Sequence, residues 1–61
     1  MGRFAKMLTE DRGFSEESAD KIEKVYLREK ILKYDAVAGG FTLSHGAFME
    51  QKVLRRAAEE K

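Results

Sequence analysis

The side chains best suited to acid–base chemistry in this sequence lie near residue 45. His45 is the only histidine, and an imidazole gains and loses its proton near neutral pH. Ser44 precedes it, but neighbouring residues on a helix point in different directions, so the two do not form a nucleophile and its base. Glu50 is too far along the helix to orient the ring. The sequence therefore predicts no catalytic residue, and we expect a protein that is not an enzyme.

Metal and cofactor sites are also not expected. The chain has no cysteine and one histidine, whereas structural zinc sites are built from several such ligands. No Gly-Lys-Ser/Thr sequence marks a phosphate-binding loop. The acidic residues at the start of the second predicted helix look like a favourable helix N-terminus and a solvated face rather than paired catalytic carboxylates. They are Glu16, Glu17, Asp20 and Glu23.

Nucleic acid is an alternative partner. The net charge is +1, which predicts no strong attraction to a polyanion. Ala36, Gly40 and a helix starting near Thr42 loosely follow the turn of a helix-turn-helix motif. Gly46 and Asp35 occupy positions at which that motif has packed aliphatic residues. Two short basic groups could contact phosphates: Lys21, Lys24 and Arg28, and Lys52, Arg55 and Arg56.

Helical periodicity places these residues on three predicted helices. The first runs from Arg3 to about Asp11, with apolar residues at helical spacing, and Gly13 suits a left-handed C-terminal cap. The second has a clear start, because Ser15 is a good N-cap followed by two glutamates. We expect this second helix to run from Glu16 to about Ala38 and to end at a pair of glycines.

The third predicted helix begins at Thr42 or Ser44 and reaches Glu59 or Glu60. A connection as short as Gly39-Gly40-Phe41 predicts that the second and third helices are antiparallel neighbours. The expected fold class is therefore all-α. It is an antiparallel hairpin of one long and one medium helix, preceded by a short N-terminal helix, in one domain spanning residues 1–61.

Two apolar faces on the long predicted helix indicate a partner. A surface helix normally needs one apolar stripe, and a chain of 61 residues builds only a small core. We interpret the second stripe as a surface for a homo-oligomer or a larger protein. Its predicted protein-interaction residues are Leu27, Ile31, Tyr34, Ala38, Phe41 and Phe48.

The function expected from these patterns is contact with protein, in a regulatory, inhibitory or adaptor role. A small DNA-binding regulator that uses the third helix is one alternative. The other is a small-ligand sensor whose pocket forms at a subunit interface, where Tyr34 and His45 would converge with flanking lysines. No apolar run is long enough to cross a bilayer, so we expect no membrane partner and a cytoplasmic location.

Overall fold

The computed structural model describes residues 2–37, 39–44 and 49–60 of the chain. This part of the protein contains three helices and a two-stranded antiparallel sheet, so the fold is α+β and the all-α prediction is wrong. Along the chain the elements are α1 (Arg3–Asp11), α2 (Glu16–Arg28), β1 (Leu32–Asp35), β2 (Gly40–Leu43) and α3 (Gln51–Glu59).

The turn between the first two helices forms as the sequence predicts. Gly13 has a φ of 75°, which is the left-handed backbone that glycine adopts at little cost. The amide of Phe14 then donates to the Leu8 carbonyl at 3.2 Å. The hydroxyl of Ser15 accepts a hydrogen bond from the Ser18 amide at 3.2 Å, which confirms the predicted N-cap of α2.

The C-terminus of α2 lies well before the expected boundary and carries no glycine. Lys30 takes the left-handed conformation there, with a φ of 60°. The Lys30 amide donates to the Leu27 carbonyl at 3.1 Å, and the Ile31 amide donates to the Tyr26 carbonyl at 2.9 Å. This pair of hydrogen bonds is a Schellman motif. It ends the helix and turns the chain into β1.

The residues expected to extend the long helix and to begin the next one form a β-hairpin instead. Leu32 pairs with Leu43, and Tyr34 pairs with Phe41. The four side chains of these two pairs share one face of the sheet, because side chains alternate along a strand. The carboxylate of Asp35 accepts a hydrogen bond from the main-chain amide two residues further on, at 2.9 Å. This Asx turn opens the loop that follows β1.

The predicted antiparallel helical hairpin is also wrong, because α2 and α3 run in the same direction. At one end, the amide side chain of Gln51 at the start of α3 donates to the carbonyl of Arg12, which just precedes α2. At the other end, Arg28 at the end of α2 forms an ion pair with Glu60, just after α3. The β-hairpin is the crossover that makes this parallel arrangement possible.

The hydrophobic core lies where α2 packs against α1 on one side and α3 on the other, with the first residue of β1 closing it. Within the described part of the chain, side chains from the three helices dominate it. The buried core residues are Phe4, Ala5, Leu8, Ala19, Ile22, Tyr26, Leu32, Leu54 and Ala57.

Candidate functional site: the β-hairpin and its anchor

The predicted interaction residues do not form the single helical stripe that suggested them. Leu27 is on α2 and is 41% exposed, whereas Tyr34 is on β1 and is also 41% exposed. Ile31 and Phe41 are half-buried and pack against the core. Ala38 and Phe48 fall outside the described residues, as does His45. The hairpin brings Tyr34 and Phe41 together as a cross-strand pair, whereas Leu27 belongs to α2.

The inner face of the hairpin is attached to the helices by aromatic contacts. The Phe41 ring meets the Phe4 ring of α1 edge-on, with centroids 5.3 Å apart. Phe41 also lies edge-on to Tyr34, at 6.2 Å. Phe4 in turn stacks on Tyr26 of α2 at 5.5 Å. Such pairs add to the stabilisation from buried area, so the inner face of the sheet is a packing surface rather than a free one.

A polar cluster attaches the same face of the sheet to the N-terminus of α1. The carboxylate of Glu23 accepts the amides of Gly2 and Ala5, each at 3.3 Å. The hydroxyl oxygen of Tyr34 accepts the amide of Phe4 at 3.1 Å, and the hydroxyl donates to Glu23. Residues of α2 and β1 thereby cap amides that the helix itself leaves unpaired. A carboxylate is also favoured at this end of the helix dipole.

The hydrogen bonds of this cluster attach the hairpin to the helices. Burial, together with the hydrogen bond to Glu23, raises the pKa of the Tyr34 hydroxyl above its ordinary value of 10.0, against a smaller lowering by the Phe4 amide. The hydroxyl therefore stays protonated at neutral pH. Gly2 leaves the space that the cluster occupies, because a Cβ there would collide with the Glu23 carboxylate and the Tyr34 hydroxyl.

The outer side of the hairpin is open to solvent. Lys33, Asp35 and Thr42 are exposed, and they lie on the face opposite the aromatic pair. Val37 in the loop is 98% exposed, the most exposed large hydrophobic residue in the described part of the chain. Its amide is held by Asp35, so the loop presents an apolar side chain on a hydrogen-bonded turn.

A groove of about 270 Å³ lies between the C-terminal halves of α2 and α3. Its lining is mostly apolar and includes three charged residues. Ile31, the residue that leads into β1, forms part of the lining, so the groove lies at one end of the strand and Val37 at the other. The complete lining is Val25, Tyr26, Glu29, Ile31, Val53, Arg56, Ala57 and Glu60.

Within the part of the chain that the structure describes, no group of three or more His, Cys, Asp or Glu side chains is arranged to hold a metal ion. None of the helices in these ranges has the length and apolar character required to cross a membrane. The helix-turn-helix interpretation needed a helix beginning near Thr42, and the structure has strand β2 at that position.

Comparison with known proteins supplies no relative. No protein-family model, no curated protein and no solved structure matches this chain.

Sequence reasoning missed the parts of the site that depend on the hairpin. The predicted long helix includes Val37 in its last turn, and the sequence predicts a solvated helical face for Glu23. The signal that could have found the hairpin is the alternation of apolar and polar residues in Leu32–Asp35 and Gly40–Leu43, separated by a short loop ending in glycine. No local pattern identifies Glu23 as a cap, because its partners are on another helix.

Proposed function

We propose that this protein acts through protein–protein contact, as a small self-associating module with a regulatory or adaptor role, and that the β-hairpin is its contact element. The observation that carries the proposal is Val37, whose side chain is 98% exposed on a hydrogen-bonded turn. A fully exposed apolar side chain gains free energy when a partner covers it, and loops carried on a folded scaffold often supply binding residues. A cytoplasmic location is part of the proposal.

The anchoring of the hairpin supports this function. The inner face is attached to α1 by the ring contacts of Phe41 and Phe4 and by the hydrogen bonds of Tyr34. A contact element that is already ordered loses little conformational entropy when it binds. The outer face and the loop can therefore meet a partner without rearrangement of the core.

The test is the solution mass of the protein, measured by sedimentation over a wide range of concentrations. We expect the mass of the wild-type chain to rise with concentration. Val37→Ser should abolish that rise, because it removes the exposed apolar side chain. Leu27→Ser is the matched control, since it removes the exposed apolar residue of α2, away from the loop. We expect Leu27→Ser to associate as the wild type does.

Different results contradict self-association and the assignment of the contact to the hairpin. A wild-type chain that stays monomeric at every concentration would contradict self-association. Association that is lost in Leu27→Ser and kept in Val37→Ser would move the contact from the hairpin to α2. Circular dichroism of both variants checks that the fold is unchanged, which we expect because both side chains lie at the surface.

A further inference from the structure

We propose that a second copy of this chain docks antiparallel along β1, with the two-fold axis at Tyr34. This inference rests on the proposed self-association and names its register. Three features of the strand lead to it: an open main-chain edge, a self-complementary order of charges, and an apolar residue and an apolar groove at opposite ends.

The main-chain groups of Tyr34 point away from β2. The Ser44 amide donates to the Ile31 carbonyl at 2.8 Å, and this pair continues the register of the hairpin. Hydrogen-bonded and non-hydrogen-bonded pairs alternate in an antiparallel ladder. Lys33 and Asp35 therefore use their main-chain groups within the hairpin, whereas the amide and carbonyl of Tyr34 face the outer edge.

The exposed part of that edge is short. Leu32 is 2% exposed, whereas the next three residues of β1 are exposed. Pairing with a second copy is thereby confined to residues 33–35. In an antiparallel pair centred on Tyr34, each Tyr34 amide donates to the Tyr34 carbonyl of the other copy, which gives two main-chain hydrogen bonds.

The charges of β1 are complementary in this register. With the axis at Tyr34, Lys33 of each copy lies opposite Asp35 of the other, on the exposed face of the sheet. Opposite charges in directly facing positions stabilise a strand pair, and like charges destabilise it. An axis at Lys33 or at Asp35 would place like charges opposite each other. It would also require main-chain groups that the hairpin already uses.

Residues just beyond the two ends of β1 add to the contact between the copies. A two-fold axis at Tyr34 places the loop that follows β1 of one copy on the side where Ile31 leads into β1 of the other, so Val37 lies near that end of the second copy. Ile31 lines the groove between α2 and α3, and Val37 is almost fully exposed. We therefore expect each Val37 side chain to bury itself at the groove of the second copy.

Disulfide trapping tests the register directly, because the chain has no cysteine of its own. Lys33→Cys and Asp35→Cys are prepared separately and then mixed under mild oxidation. Facing residues of a non-hydrogen-bonded pair have Cα atoms about 4.5 Å apart, which a disulfide can span. We expect the mixture to form the mixed dimer at least about tenfold faster than either variant alone forms its own dimer.

A charge series tests the same contact without a covalent bond. Lys33→Glu places two acidic side chains opposite each other and should raise the dissociation constant of the dimer about tenfold or more. Lys33→Glu combined with Asp35→Asn removes that repulsion and should restore part of the affinity. Asparagine keeps the oxygen that accepts the Val37 amide, so the loop is preserved. Lys33→Arg is the control that should associate as the wild type does.

These results distinguish this inference from the function on which it rests. If the wild-type chain associates but the mixture shows no preference for the mixed disulfide, the register is wrong and the proposed function stands. If the second substitution fails to restore association, Lys33 does not lie opposite Asp35 of the other copy. The register is then wrong and the proposed function stands. A wild-type chain that is monomeric at all concentrations overturns both proposals.

Discussion

The helical layer and the β-hairpin of this protein differ in what their side chains do. In the part of the chain that the structure describes, eight of the nine buried core residues come from the three helices, and Leu32 comes from the hairpin. Beyond Leu32 the hairpin is half-buried or exposed, and it is attached through one aromatic cluster and one polar cluster. Burial is therefore concentrated in the helices, whereas under the proposed function the hairpin supplies the contact. This separation allows the surface of the hairpin to change without loss of the fold.

The strongest test of this comparison truncates one buried side chain of the helical layer and one exposed side chain of the hairpin. Leu8→Ala opens a cavity in the core and should cost about 2–5 kcal/mol of unfolding free energy. A chain of this length has about 3–9 kcal/mol in total, so much of the population should unfold. Val37→Ala removes methyl groups from the exposed loop of the hairpin and should cost less than about 1 kcal/mol. Urea denaturation followed by circular dichroism measures both variants, and equal losses would refute the separation.

The next largest effect is expected where the hairpin and α2 together cap α1. Gly2→Ala places a Cβ on the Glu23 carboxylate and the Tyr34 hydroxyl, which must move and give up their hydrogen bonds to the helix. We expect a loss of about 1–2 kcal/mol in unfolding free energy. Gly40→Ala is the matched control, since nothing lies within 4 Å of its added Cβ. If the two variants unfold at the same denaturant concentration, the capping cluster contributes nothing.

A smaller effect is expected from the hydroxyl of Tyr34 alone. Tyr34→Phe keeps the ring against Phe41 but removes the hydrogen bonds to Glu23 and from the Phe4 amide. The expected loss at neutral pH is about 0.5–1.5 kcal/mol, measured by denaturant unfolding.

The pH dependence sharpens this prediction. The pKa of Tyr34 is raised in the folded state, mainly by burial, so the protonated form is the one that the fold favours. Its contribution is complete below the ordinary value of 10.0 and is lost as the pH rises through the higher folded-state pKa. The stability difference between wild type and Tyr34→Phe should therefore shrink above pH 10. A difference that stays constant at alkaline pH would contradict the role of the hydroxyl.

The smallest effect is expected at the junction between the two regions. Lys30 has a φ of 60°, which strains a residue that has a Cβ. Lys30→Gly should relieve that strain and raise the unfolding free energy by about 0.5–1 kcal/mol. Lys33→Gly is the comparison, because Lys33 has ordinary strand geometry and should lose stability instead. A loss of stability in Lys30→Gly would show that the left-handed position is not a source of strain.

Local signals predicted the first half of the chain and failed in the middle. The glycine cap at Gly13 and the serine cap at Ser15 are formed by residues next to the turns that they stabilise, and both were predicted. The end of α2 was missed because a lysine, rather than a glycine, occupies the left-handed position. The apolar residues after it fit a helix as well as a strand, so periodicity did not decide between them.

The sequence by itself determined where α1 and α2 begin and which side of each helix packs in the core, because caps and helical spacing act over a few residues. Only the tertiary structure decided that residues 32–43 form a hairpin, since each strand is stabilised by the other and by Phe4 on a distant helix. The capping of α1 by Glu23 and Tyr34 was decided in the same way. Its hydrogen bonds join residues 18 to 30 positions apart, and such partners meet only when the whole chain has folded.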